Sequence, residues 1–474
     1  MGTPTANIFQ NLKTPLTHQQ AEEIYAGGPE AVIFALMALS ELALQAKPDA
    51  LPDTPTPETP SAMIPPYKKE NKRGRRKKPG AKPGHVGHAR PLPAPTQVVE
   101  HPPLADCPSC HGPLPAPSET TTRLIEDILA AQPEVTEHHL PRQWCATCKK
   151  FVSPSVPDAL PGASFGHRLI ILTAWLHFAL GLTLSQIIEV LRYQLHFKLS
   201  AGGLVGAWHR YAAVFYPWYE QIGAEARAGG VLHADETGWR VNGITHWLWC
   251  FTTKWTTYYM IDRSRGSPAL SKFFTSAFDG VLVTDFWAAY NAVVCAARQA
   301  CLPHLFRELD KVDDKNGSPA WRAFAKKLKR LLRDALRLSK RDDLTAEQFA
   351  VRRALIKKRL DDLLAADWGD ADARRLLKRL RRYRDALFTF LDNPQVPADN
   401  NHAEREIRPA VLMRKNSYCN RSLQGANTQA ILMSIYRTLK RRGHNPLETM
   451  IEAVRTYVAT GQLPPLPPPN ASNA

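Results

Sequence analysis

Along the chain the spacing of apolar residues changes several times, and each change marks a different element. From about Thr17 to Ala46 a helical period carries Ile33, Leu36, Leu39, Leu42 and Leu44, interrupted at Gly27-Gly28-Pro29. This predicts a helical N-terminal segment (1–46) that packs on its own protein or on a second copy. Residues 48–66 are rich in proline and threonine and predict an extended linker. Helical spacing returns between Phe165 and Gln221. There, 182–191 and 199–208 each begin near a Ser or Thr suited to cap a helix. That pattern fits a helix-turn-helix and fits a plain helical hairpin equally well.

From Gly230 the period shortens to two. Residues 231–235, 245–252, 256–262 and 280–285 read as strands, with turn formers at Asn242-Gly243 and Thr253-Lys254. In this reading Asp235 ends the first strand and Asp285 the fourth, and 267–277 forms a helix before the fourth. Three strands joined by short turns, then a helix and another strand, is the order of an RNase-H-like α/β core. Beyond it, 318–391 is basic, leucine-rich and helical, and a last helical region starts near Asp399.

The spacing therefore predicts an RNase-H-like α/β core followed by basic helices, with a cysteine-bearing module and a helical N-terminal region before it. Its expected parts are the N-terminal segment (1–46), linker and basic arm (47–100), zinc module (101–160) and a helical region (161–228), read as a DNA-binding helix-turn-helix or a plain hairpin. The core (229–317), its insertion (318–391), the end of the core with C-terminal helices (392–460) and a disordered tail (461–474) follow. No apolar run is long enough to span a bilayer, because 169–182 is short and broken by Trp175, His177 and Gly181. With no secretory signal at the start, a soluble cytoplasmic protein is expected.

The formal charge of +17 is not evenly spread. Residues 68–90 hold ten bases and one acid, and 318–391 hold 21 bases and 10 acids, so the remainder is slightly acidic. Two concentrated basic segments point to polyanion binding, set against the plainer alternative of a solvated arm and a salt-bridged helix face. In the first, Lys72, Arg73, Arg75, Arg76, Lys77 and Lys78 sit among glycine and proline, which favours a flexible arm ordering on DNA phosphates.

The eight cysteines include two Cys-x-x-Cys pairs, Cys107/Cys110 and Cys145/Cys148. Each knuckle points two sulfurs at one ion, and four thiolates saturate a tetrahedral Zn²⁺, so a structural zinc is expected. Cys301-x-x-His304 has ligand spacing but lacks a partner pair, and reads better as core packing.

Phosphodiester chemistry uses two Mg²⁺ ions about 4 Å apart, held by carboxylates from separate elements. Acids that end neighbouring strands, Asp235 and Asp285, meet that need. The third cluster, Asp399 to Pro409, contains Asn400, Asn401 and Glu404 within one helical turn, with Arg405 and Arg408 on a neighbouring face. Arg414, Lys415 and Arg421 extend the basic surface. Asn400, Asn401, Arg405, Arg408, Arg414 and Lys415 are thus expected to contact DNA. Glu236 should point to the opposite side of its strand from Asp235, and Glu406 away from Asn400.

At these residues the chain closely resembles the insertion sequence 66 family of transposases. The likeness runs from the Lys78-to-His85 arm through the four cysteines to Asp235-Glu236-Thr237, Thr284-Asp285 with Tyr290, and Asn400-Asn401-x-x-Glu404-Arg405. The N-terminal helix is shorter than the leucine-zipper segment associated with that family. The resemblance implies a DDE-type, Mg²⁺-dependent DNA transposase with Asp235, Asp285 and Glu404 as its metal-binding triad, on an RNase-H-like catalytic core with a helical insertion between the second and third acids. Its implied partners are element-end and target DNA, further copies of the chain on that DNA, and accessory proteins of the same element. The alternative is a zinc-containing DNA-binding regulator with a decayed catalytic domain.

Overall fold

The computed structural model describes residues 22, 24–29, 32–33, 93–128 and 132–470. The basic arm, with Lys72, Arg73, Arg75, Arg76, Lys77 and Lys78, and most of the N-terminal segment lie outside the described residues. The chain divides into two compact units, Met1–Thr122 and Arg123–Ala474.

In the first unit a tight knuckle forms around Cys107. The Cys107 N–H donates to the Gly112 carbonyl (2.9 Å) and the His111 N–H to the Cys107 carbonyl (2.8 Å), while Asp106 bridges Pro113. The second unit opens with an antiparallel hairpin, β1 (Gln143–Cys145) and β2 (Lys150–Val152), with Trp144 edge-on to Phe151 at 5.2 Å.

Four helices follow: α1 (His167–Phe178), α2 (Leu184–Gln194), α3 (Ala201–Val214) and α4 (Tyr216–Arg227). The expected caps are present. Thr183 and Gln186 form a reciprocal capping box on α2, and Ser200 accepts from the Gly203 N–H to start α3. Trp208 of α3 is buried against Phe178 and stacks on His177, so this helix pair is anchored by aromatic packing.

The centre of the unit is a five-stranded mixed sheet ordered β5-β4-β3-β6-β7, with β3 (Val231–Val241), β4 (Ile244–Thr252), β5 (Thr257–Asp262), β6 (Phe278–Thr284) and β7 (Cys295–Ala300). β3, β4 and β5 are antiparallel neighbours, whereas β6 runs parallel to both β3 and β7. Asn242 and Gly243, both at positive φ, make the tight β3–β4 turn that their sequence predicts. The first strand corrects the sequence reading, because it continues six residues past Asp235 to Val241. Trp239 and Val241 keep the alternation going and are buried beneath the helices, so the strand gains by extending.

Helix α5 (Ser267–Phe273) packs on one face of the sheet, where Phe273 stacks on Phe251 at 3.8 Å. After β7 come α6 (Leu302–Asp313) and the leucine-rich helices α7 (Pro319–Leu338), α8 (Ala346–Ala365) and α9 (Ala371–Arg382). On α7, Trp321, Phe324, Leu328, Leu331, Leu332, Ala335 and Leu338 recur at three- and four-residue steps and are all buried. These helices build their own hydrophobic core, which reaches Val281 and Val283 of the sheet. Several of their bases pair with acids, including Arg384 with Asp361 (2.7 Å) and Arg359 with Asp334 (2.9 Å). Helices α10 (Asn401–Ser417), α11 (Leu423–Arg441) and α12 (Pro446–Thr460) complete the unit. No helix among the described residues is long and apolar enough to cross a membrane.

Candidate active site

Pairing of the two central parallel strands positions the first two acids. Val231 lies opposite Val281, Leu232 opposite Leu282 and His233 opposite Val283. Carried two residues further, that register sets Asp235 beside Asp285, which directly follows β6. Asp235 Oδ1 accepts from the Glu236 N–H at 2.9 Å, and Asp285 Oδ1 accepts from the Trp287 N–H at 2.8 Å. Each carboxylate is therefore oriented by its own backbone.

Alternation along β3 separates Asp235 from Glu236. The Glu236 carboxylate accepts from the Tyr290 hydroxyl (2.6 Å) and from Arg265 (3.0–3.1 Å). Arg265 is itself flanked by the rings of Trp247 and Trp287 at 4.4 and 4.0 Å. Sequence reasoning missed this bracket, because Arg265 lies in a loop and carries no local motif.

The third acid arrives on α10, which is tied to the sheet at its start. Asn400 is buried. Its amide donates to the Ala234 carbonyl (2.8 Å), its side-chain oxygen meets His233 Nδ1 (3.1 Å), and its N–H donates to Cys301 Sγ (3.2 Å). Expected to contact DNA, Asn400 instead fastens the helix to β3, since both side-chain groups are already engaged. His402 adds a second fastening, with Nε2 2.8 Å from the Thr253 carbonyl.

Glu404, one turn along, is about one-third exposed and is approached by Arg307 at 3.2 Å and by His304 Nδ1 at 3.7 Å. Burial raises the Asp235 carboxyl well above the usual range, and the negative charges of Glu236, Asp285 and Glu404 add to that rise. The acids are thus within electrostatic reach of one another. Among the described residues, however, the ligand atoms that all lie within 4.8 Å of each other join Glu404 to Cys301 and His304, not to the two aspartates.

Glu406 turns the other way. Its carboxylate takes Arg437 at 2.9 and 3.0 Å and Arg441 at 3.0 Å, and accepts from the Thr257 hydroxyl at 3.2 Å. Burial pushes this carboxyl up, but the two guanidinium groups outweigh it and hold the acid below its ordinary value.

Asn401, Arg405, Arg408 and Lys415 form an exposed stripe on α10. Arg414 is half-buried and donates to the Gly238 carbonyl at 2.8 Å, so it braces the helix against β3 more than it faces solvent. On the helix pair α2–α3, the exposed start of α3 consists of Ala201, Gly202, Gly203 and Gly206. Those residues offer no side-chain donor or acceptor to a base edge.

Cys107 and Cys110 lie in the first unit, Cys145 and Cys148 in the second. Within each knuckle, backbone N–H groups aimed at the leading sulfur pull its thiol below the usual value: those of Cys110 and Ser109 for Cys107, and that of Cys148 (3.4 Å) for Cys145.

Comparison with known proteins fits this arrangement. The family model described as the zinc-finger binding domain of the IS66 transposase matches residues 105–149, a span that holds all four of these cysteines. The uncharacterized protein y4jD of Sinorhizobium fredii is 25% identical over 396 residues, 76% of each chain. A second uncharacterized protein of that organism, y4hP, is 24% identical over 398 residues, covering 74% of this chain and 70% of its own. The model of the IS66 transposase family itself matches residues 162–428, more than half of the chain and the whole stretch from α1 past Glu404. The protein belongs to the IS66 transposase family.

Proposed function

We propose that this transposase cuts the ends of its mobile element and joins them to target DNA, using divalent ions held by Asp235, Asp285 and Glu404. The observation that carries the reading is the parallel register of β3 and β6, which sets Asp235 beside Asp285 while α10 brings Glu404 toward them. The strand order, with three antiparallel strands followed by two parallel ones, supports an RNase-H-like core. The basic helices of 318–391 are then an insertion between the second and third acids.

The donor set suits Mg²⁺, because all three groups are hard carboxylate oxygens. When bound, two such ions would supply charge neutralisation for the attacking and leaving oxygens of phosphoryl transfer. The chain's own residues do the positioning. Backbone N–H groups hold the two aspartates, Asn400 and His402 set the depth of α10, and Arg307 steadies Glu404. Asn401, Arg405, Arg408 and Lys415 face solvent beside Glu404 and suit the phosphates flanking the reacting bond.

Zinc on Cys107, Cys110, Cys145 and Cys148 serves a structural role in this reading, since four thiolates leave no open position. Two element ends must be held together for joining, so the active form is a homo-oligomer on DNA, assisted by accessory proteins of the element. The working compartment is the cytoplasm, on the nucleoid when DNA is bound.

The test is strand transfer on DNA carrying the element's ends, in Mg²⁺, comparing wild type with Asp235→Asn. Loss of joining with end binding retained is expected. Robust joining by the variant would overturn the assignment, and equal cleavage of DNA lacking the ends would point to a general nuclease instead.

A further inference from the structure

Cys301 and His304 have no part in the chemistry above, yet the fold delivers both to Glu404. Cys301 follows β7, and its N–H donates to the Thr284 carbonyl at 2.9 Å, which seats it beside the end of β6. It then caps α6, so His304 stands on that helix's first turn. The neighbouring Leu302 N–H donates to the Ala398 carbonyl (3.0 Å), and Cys301 Sγ accepts from the Asn400 N–H (3.2 Å). These two bonds lace the β7–α6 junction to the start of α10, and Glu404 lies one turn further on.

The three ligand atoms, a sulfur, an imidazole nitrogen and a carboxylate oxygen, all lie within 4.8 Å of one another. His304 Nδ1 is buried and has no hydrogen-bond partner. Its 3.7 Å approach to Glu404 Oε1 is too long to serve as one. A desolvated ring nitrogen near a carboxylate oxygen, unpartnered and in one cluster with a sulfur, has the form of a metal-ligand set. The donor types choose the ion. Mg²⁺ and Ca²⁺ take oxygen, whereas mixed sulfur, nitrogen and oxygen suits Zn²⁺ and its near relative Co²⁺. Three protein ligands leave a fourth position for water.

We propose that Cys301, His304 and Glu404 form a binding site for a divalent transition cation of the zinc class, sharing no ligand with the four paired cysteines. Binding displaces the Cys301 thiol proton to solvent and involves no redox change. Arg307 and His304 Nδ1 both approach Glu404 Oε1, so the ion competes with Arg307 for this carboxylate. A consequence that rests on the catalytic reading above is competition: a zinc-class ion and Mg²⁺ both claim Glu404, so Zn²⁺ opposes strand transfer.

The test is metal stoichiometry on the full-length protein, stripped with chelator and titrated with Co²⁺, with no DNA present. Wild type should bind one equivalent more than His304→Ala, and Cys301→Ser should also lose that equivalent together with its share of the sulfur-to-cobalt absorption. A Cys107→Ser/Cys145→Ser double variant should lose the four-thiolate equivalent and keep this one. Equal stoichiometry in wild type, His304→Ala and Cys301→Ser would overturn the site. His304→Gln, which keeps the side chain's bulk, supplies the same count should the alanine variant unfold. Because the readout is the difference in binding between wild type and His304→Ala, failure of the catalytic assignment would leave that difference unchanged, and failure of the difference would leave the triad test standing.

Discussion

Helix α10 carries two glutamates two residues apart, and its two faces treat them in opposite ways. On the inner face Ala403, Glu406, Ile407, Ala410 and Met413 are buried, and Glu406 is saturated by Arg437, Arg441 and Thr257. On the outer side Asn401, Arg405, Arg408 and Lys415 are exposed, and Glu404 keeps about a third of its side chain open. A buried carboxylate must be neutralised within the protein, and one so neutralised has no valence left for an external cation. The acid that remains underused is the one able to serve a ligand. The contrast also separates what each residue should do when changed.

The largest effect is expected on the outer side. Glu404→Gln removes a charged ligand while leaving the helix fastenings in place, so strand transfer in Mg²⁺ should fall by ~10³-fold or more, about 4 kcal/mol in the barrier. Denaturant unfolding should change little. A variant that unfolded early instead would make Glu404 structural and erase the contrast.

Next comes the inner face. Glu406→Gln leaves two largely buried guanidinium groups without a counter-charge, which should cost about 3 kcal/mol of stability, read as a shifted denaturation midpoint. The pH dependence has a definite sign. Because the folded Glu406 carboxyl titrates below its ordinary value, its stabilising contribution is full above the unfolded value of about 4.3 and is lost as pH falls through the lower folded value. The stability gap between wild type and Glu406→Gln should therefore close only in that acid window. A gap that had already closed at or above the unfolded value would mean the arginines do not hold this acid.

Much of this was legible in the sequence, and the failures have identifiable causes. Asn242-Gly243 announced the β3–β4 turn because only residues tolerant of positive φ fit there. The strand that the period-two spacing ends at Asp235 runs on to Val241, because Trp239 and Val241 bury themselves under the helices. The inward role of Asn400 was invisible for a different reason. Its partners on β3 lie more than 160 residues away, and polarity alone does not tell a buried anchor from a DNA contact. Cys301 and His304 likewise read as core packing, since the third member of their cluster comes from another helix.

The smallest effect tests the outer stripe. Arg405 and Arg408 are exposed one turn apart beside Glu404, so each is placed to meet a phosphate rather than a base edge. A phosphate contact releases roughly one condensed counterion, so removing it weakens binding without changing sequence preference. Arg405→Ala with Arg408→Ala should therefore lower the steepness of log affinity against log salt by about two, on end DNA and unrelated DNA alike. The size of the loss should grow as salt falls, which an unfolded site would not reproduce. If the double variant lost affinity only for end DNA, the stripe would be reading sequence. If neither slope moved, DNA would approach Glu404 from another side, and the outer face of α10 would be simply a solvated helix surface.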